Sequence, residues 1–254
     1  GNYIGINEYG HSITNFISGG SFSNVTHGGS LSSDGNGVGN IDGFAVFVPM
    51  TVTGDVVEIV VVKVLSRYAI GRMLNIITPS PMRNTPDCPV FKRCGGCHLQ
   101  HIKYESQLCI KRGFIEAAMQ RIGGFDGFCC DEIIGMENPY HYRNKVQAAF
   151  AKRGGDIISG VYQSSTHKIV PVDDCMIEDE TADKIIVTIR RLLKSFKLKA
   201  FDDVTMRGFL RHVLIKRSFT TGETMVVLVT GEEKFPDESK FVNALIGRHS
   251  EITT

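Results

Sequence analysis

Cys88-Pro-Val-Phe-Lys-Arg-Cys94-Gly-Gly-Cys97 puts three thiols into ten consecutive residues. The thiolate is a soft metal ligand, and spacings this short let several sulfurs converge with little chain ordering. The glycine pair allows a tight turn whose N–H groups can face the sulfurs. Three thiolates are one short of a tetrahedral shell or a cubane, and Cys175 in Val172-Asp-Asp-Cys175 is the best candidate for the fourth. Zinc sites usually pair two Cys-x-x-Cys knuckles, whereas a tight trio with one distant cysteine suits an iron–sulfur cubane. Structural zinc stays the rival reading. A redox dithiol fits less well, because Cys94-Gly-Gly-Cys97 lacks the strand-then-helix setting of a thioredoxin-type site.

Composition sets the frame around this stretch. The chain has 254 residues, room for two ordinary domains or one large one. Seven cysteines, an odd number, argue against a disulfide scaffold and for a reducing, cytoplasmic setting. The longest apolar run, residues 56–65, is broken by Glu58 and Lys63, so no membrane span is expected. The chain does not begin with Met and reads as a piece of a longer protein. Net charge is only +1, but between Lys63 and Arg121 ten Lys/Arg face three acids, a local bias that suits an anionic partner such as RNA. An ordinary solvated face of mixed charge is the competing explanation.

Residues 1–24 are rich in Gly, Ser and Asn without a sustained period and read as a tail, with His11 idle, as is His27 just beyond it. Gly35-Asn-Gly37-Val-Gly39 looks like a cofactor loop, but such loops follow a strand and open a helix. Here the glycines precede a strand, so a turn is expected. Three β-branched runs follow, 44–48, 56–65 and 68–77, punctuated by Gly54 and Gly71. Short strands with glycine turns predict a small Greek-key barrel of the OB type. Lys63, Arg67, Tyr68 and Arg72 are its candidate RNA-binding side chains. The alternative is that they are simply the wet side of a half-buried sheet.

Proline-dense residues 78–86 predict an extended linker into the cysteines. Residues 104–122 read as a helix with Leu108, Ile115, Ala118, Met119 and Ile122 as its apolar stripe and Cys109 as a core residue. Cys129-Cys130 are adjacent and so point to opposite faces of an extended chain, poor co-ligands for one centre. Tyr142, Arg143 and Lys145 combine aromatic and basic groups before a strand, a mixture suited to base stacking and phosphate contact. A hairpin turning at Gly154-Gly155 follows, then helix 180–198, an antiparallel pair 210–217 and 224–229, and helix 235–248.

Several of these motifs together resemble the bacterial RNA (uracil-5-)-methyltransferases. They are Ser33-Asp-Gly-Asn-Gly-Val-Gly39 with Asp42-Gly-Phe-Ala-Val-Phe-Val-Pro49, then Pro79-Ser-Pro-Met-Arg83 and Cys88-Pro. Cys94-Gly-Gly-Cys97-His-Leu-Gln-His101 follows, with Tyr104, Gln107, Tyr142-Arg-Asn-Lys145, His167, Asp174-Cys175 and Leu210-Arg-His-Val213. The resemblance runs from about Val25 to the end of the sequence.

It implies a chain that is mainly β with α+β character: a TRAM (OB-fold) RNA-binding domain over 25–82, then a cluster-binding central domain over 83–254. It implies a [4Fe–4S] cluster on Cys88, Cys94, Cys97 and Cys175, and 23S ribosomal RNA as partner, with tRNA the other possibility. The family's Rossmann-like methyltransferase domain, which carries the S-adenosylmethionine pocket and the nucleophilic cysteine, has no counterpart in this sequence. Accordingly, no catalytic or S-adenosylmethionine-binding residue is assigned in this chain, and the chain alone is expected to be inactive. Helix 104–122 would pack on that domain, leaving its stripe partly exposed. A monomer is expected. The competing reading is a stand-alone RNA-binding iron–sulfur or zinc module without chemistry.

Overall fold

The computed structural model describes residues 31–32, 35–41, 44–164 and 166–254. The expected tail 1–24, residues 25–30, and the motif positions Ser33, Asp34, Asp42 and Gly43 lie outside the described residues. Two compact units divide the chain. One comprises the described residues up to Asp87 together with His98–Gly135; the other comprises Cys88–Cys97 and Met136–Thr254. The sequence division at residue 83 is a single cut, whereas contacts in the structure make the division discontinuous. The cysteine block belongs to the second unit, and the helix that follows it belongs to the first.

In the first unit, β1 (Gly37–Ile41), β2 (Phe44–Val48), β3 (Val56–Val64) and β4 (Tyr68–Thr78) form one sheet in the order β1-β2-β4-β3. β1–β2 and β3–β4 are antiparallel and β2–β4 is parallel. Among the described residues the sheet is open, with β1 and β3 as its edges. The glycine segment also differs from expectation. Only Gly35, at φ +76°, makes the turn. Gly37 and Gly39 are strand residues paired with Val48 and Val46. A Cβ on Gly37 would collide with the Thr51 hydroxyl, so close approach of backbone, not turning, explains that glycine.

Alternation drives this sheet. Val46, Val48, Val57, Ile59, Val61 and Ala69 turn inward and form one buried cluster. Three register shifts along β3–β4 strengthen the local twist.

Residues 79–83, expected as extended linker, are clamped. The carboxylate of Asp55 accepts from the backbone N–H of Ser80 (2.8 Å) and Val52 (2.6 Å). It also accepts both arms of the Arg83 guanidinium, at 2.7 and 2.6 Å.

α1 (Tyr104–Arg121) closes the unit. Ile110 and Phe114, four residues apart on one face, pack against buried Leu31, Val52 and Ile102. Ile115, Ala118 and Ile122 of the expected stripe are exposed, and so is Cys109. Apolar residues are spread around this helix, so periodicity alone does not single out the face that packs.

The second unit is an antiparallel sheet ordered β7-β6-β5-β8-β9. Its strands are β5 (Lys145–Arg153), β6 (Asp156–Tyr162), β7 (Ile169–Pro171), β8 (Leu210–Arg217) and β9 (Thr224–Thr230). Gly154 and Gly155, at φ +58° and +97°, make the β5–β6 turn. α2 (Glu180–Ser195) starts at the N-cap Asp179, whose carboxylate accepts the N–H of Thr181 and Ala182. Its Ile185, Ile186, Ile189, Leu192 and Leu193 bury against the sheet and α3 (Glu238–Ile246). Phe196, Phe209, Phe235 and Phe241 interlock in the same core, with ring centroids 4.6–5.4 Å apart. No helix among the described residues is long and apolar enough to cross a membrane.

Candidate metal centre and nucleic-acid interface

The cysteine block folds as consecutive turns. Phe91 N–H donates to Cys88 O and Cys94 N–H to Val90 O, while buried Phe91 anchors the segment. Gly96 N–H donates to Cys94 Sγ at 3.3 Å, the contact expected of a Gly-Gly turn beside a ligand sulfur. Gly95 is needed for a different reason: its Cβ would lie 3.0 Å from both Ser164 N and Tyr162 O at the end of β6.

Cys175 sits between β7 and α2 in the same unit. Its N–H donates to Asp183 Oδ2 at 2.7 Å, and the backbone N–H groups of Ile177 and Glu178 face its sulfur. Burial pushes the Cys175 thiol up to about 12, and burial likewise raises Cys94, with Cys88 and Glu178 adding repulsion. All four cysteines are half-buried. Among the described residues, no three His, Cys, Asp or Glu side chains are gathered as a single metal ion requires.

Three neighbours of this centre carry no metal-ligand signal in the sequence. Glu178 and Asp183 form a buried carboxyl pair joined by a hydrogen bond, and burial raises both above the usual carboxylate range. Arg143 lies 4.0 Å from Glu178 and opposes the rise at Cys94. Its backbone also pairs with this segment, donating to Ile177 O and accepting from Asp179 N–H. Arg143, expected to touch RNA, is therefore placed beside the cysteines. The signal that could have found the pair is the acidic run Asp173–Asp183 around Cys175.

Tyr142 is 51% exposed. Lys145 stands directly opposite Lys216 in the β5–β8 register. Like charges across a strand pair destabilise it unless an anion lies between them. In the first unit, Lys63, Arg67, Tyr68 and Arg72 are all exposed. The register sets Lys63 opposite Ile70 and Arg72 opposite Val60, on the face away from the core. Tyr68 shares that face and meets Phe47 edge-on, with centroids 5.2 Å apart. Interleaved rings and cations of this kind stack bases and contact phosphates. Arg67 lies in the β3–β4 turn.

Comparisons with known proteins bear on both places. Residues 29–74 match the TRAM domain. An uncharacterized RNA methyltransferase of Clostridium tetani is 41% identical over 215 residues, 85% of this chain and 46% of that protein. One from Halalkalibacterium halodurans is 40% identical over 85% of this chain and 47% of its own length. The crystal structure of the Pyrococcus abyssi tRNA (uracil-54, C5)-methyltransferase in complex with S-adenosyl-L-homocysteine superposes with a TM-score of 0.60. It is 26% identical and is matched over 84% of this chain and 48% of that one. The chain thus contains a TRAM domain and has RNA methyltransferases as homologues, and it spans about half the length of the relatives it matches.

Proposed function

We propose that this chain is the RNA-docking, cluster-holding portion of an S-adenosylmethionine-dependent RNA (uracil-5-)-methyltransferase. The observation that carries the reading is the coincidence of the TRAM match with homology to RNA methyltransferases along 85% of the chain. In this reading the ringed, basic face of the TRAM sheet and the Tyr142–Lys145 region hold the RNA. Methyl transfer needs a thiolate that adds to uracil C6 and a base that takes the C5 proton. No side chain here is assigned those roles; they fall to the part of the relatives outside the matched span. The proposed RNA is 23S ribosomal RNA, from the TRAM and cysteine features, with tRNA the alternative supported by the Pyrococcus abyssi neighbour.

For Cys88, Cys94, Cys97 and Cys175 we propose a [4Fe–4S] cluster, a reading supported by the chemistry of four half-buried thiols within one unit. Backbone N–H groups face two of the sulfurs, as thiolates on iron require. A single tetrahedral zinc would draw its sulfurs to about 3.8 Å from one another, given Zn–S near 2.3 Å. A cubane takes one thiolate per iron and accepts wider spacing. The cluster's role is structural, so ligand binding becomes folding free energy.

Anaerobic reconstitution with iron and sulfide is expected to give a brown protein with four irons per chain, and Cys175→Ser to lose colour and iron. Colourless protein retaining stoichiometric zinc refutes the cluster. RNA binding is tested separately with 23S and tRNA transcripts. Lys63→Gln/Arg72→Gln is expected to weaken binding and flatten its salt dependence by about one to two logarithmic units per decade. Equal binding by wild type and variant removes the TRAM-face assignment.

A further inference from the structure

A second basic site lies within the second unit, formed by residues that no motif in the sequence singles out. The β5–β6 turn, the segment after α2 and the loop 202–208 enclose a cleft of about 410 Å³. Lys152, Lys194, Lys197, Lys199 and Arg207 line it, against two carboxylates, Asp156 and Asp202. The five cations outnumber the two acids. Asp156 is bound to Lys194 at 3.3 Å, and Asp202 Oδ1 caps the N–H groups of Val204 and Thr205 at 2.9 and 3.0 Å. Among the described residues, Lys152, Lys197, Lys199 and Arg207 form no ion pair.

Lysines at the end of a helix often just complement its dipole. That accounts for Lys194 and Lys197 near the C-terminus of α2. It leaves out Lys152 on β5, and Lys199 and Arg207, which lie beyond the helix.

The walls are not uniformly polar. Ile157, Leu198 and Ala200 line the cleft between the cations, with Leu198 and Ala200 nearly buried. The loop above is tightly built: the backbone N–H of Asp202 donates to Arg207 O at 2.8 Å, and Met206 takes a left-handed φ of +55°. A cleft with several unpaired cations around an apolar floor suits a ligand that is anionic at one end and flat and apolar at the other.

We infer that this cleft binds one nucleotide of a single-stranded RNA segment. Its flanking phosphates lie on Lys152, Lys199 and Arg207, and its base lies against Ile157, Leu198 and Ala200. This deepens the proposed RNA function and rests on it. Base stacking on an apolar wall is sequence-tolerant, so the cleft holds the strand without selecting the target uridine.

The test uses the full chain and a labelled oligouridylate of about 10 nucleotides. Lys152→Gln/Lys199→Gln/Arg207→Gln is expected to bind roughly tenfold more weakly, with a salt slope flatter by about 2. In methyl NMR of the wild type, the Ile157, Leu198 and Ala200 signals are expected to move on adding the oligonucleotide and not on adding inorganic phosphate. Unchanged affinity in the triple variant overturns the inference, and so do methyl signals that stay still. Free uridine monophosphate competing as well as the strand, mole for mole, also overturns it, by assigning the cleft to a soluble nucleotide. The two readings fail differently. No oligonucleotide binding by wild type sinks the RNA function, whereas binding that responds to Lys63→Gln/Arg72→Gln and ignores the cleft variant sinks only the cleft.

Discussion

Replacing Asp55 by Ala is expected to loosen the first unit selectively, and the structure sets the size of the effect. The side chain is 1% exposed and its two oxygens accept four bonds. Two come from backbone N–H groups, of Val52 and Ser80, and two from the Arg83 fork. The substitution leaves those N–H groups without their acceptor and strands a guanidinium that is only 16% exposed. Breaking one side of a buried pair costs about 3–5 kcal/mol. Arg83 keeps some access to water and a bond to Met50 O at 2.9 Å, which favours the lower end, about 3 kcal/mol. Arg83→Lys keeps the charge and loses the fork, so a smaller cost of about 1–2 kcal/mol is expected.

Because two units melt in one chain, a single midpoint is a poor readout. Amide hydrogen exchange followed by mass spectrometry separates them. Peptides from β2 to β4 should exchange on the order of 100-fold faster in Asp55→Ala, since 1.4 kcal/mol is a factor of ten. Peptides from β5 to β9 should be unchanged. Acceleration below about threefold in the first unit, or equal acceleration in both, refutes the clamp.

His101 gives a pH dependence of known sign. It is 1% exposed, near Thr51 O at 3.4 Å, and burial lowers its pKa below the ordinary value. The folded state therefore resists a proton that the unfolded chain accepts. Stability is full above about pH 6.5 and falls on acidification below it, by up to about 1.4 kcal/mol per pH unit. Exchange in the first unit at pH 7.5 and 5.5 should show the loss, and His101→Gln should flatten it; a variant with the wild-type profile contradicts the assignment. For the cysteine centre, Cys97→Ser should lower cluster content and the melting temperature of reconstituted protein together. Melting that persists unchanged after the cluster is gone shows that it does not staple the second unit.

What the sequence revealed and what it hid follow from how far each signal reaches along the chain. β2 and β8 were legible to the residue, because β-branched runs between turn residues are local signals. α2 was legible from its first residue, since the Asp179 cap and the isoleucine stripe agree. The strand at Gly37–Ile41 was not: two glycines argue against a strand, and the reason for one of them is Thr51, fourteen residues away. The clamp on Asp55 was hidden because prolines at 79 and 81 mark an extended segment without saying what receives it. The stripe of α1 was expected to be partly exposed, and Ile115, Ala118 and Ile122 are. The face that packs, Ile110 and Phe114, was not singled out because apolar residues are spread around the helix. Around the cysteines, spacing pointed to the sulfurs, but Arg143, Glu178 and Asp183 meet through tertiary pairing of two short segments, and only the acidic run beside Cys175 hinted at them.

The near-neutral charge of the whole chain conceals how its charges are sorted. Among the described residues arginines take most of the ion-paired carboxylates, including Asp55 on Arg83, Asp173 on Arg190, Asp179 on Arg217 and Asp203 on Arg211. The planar fork favours Arg for such pairs, and Arg83–Asp55 and Arg217–Asp179 are largely buried, where salt screens them little. Of the lysines and arginines left without ion pairs among the described residues, about half lie in three places. These are the outer face of the TRAM sheet, the Lys145–Lys216 pair and the cleft beside loop 202–208. An unpaired, exposed lysine contributes little to folding, so this distribution is not accounted for by stability. It separates the two tasks of charge in the molecule. Salt strong enough to release a polyanion from these unpaired cations leaves the buried Arg83–Asp55 and Arg217–Asp179 pairs in place.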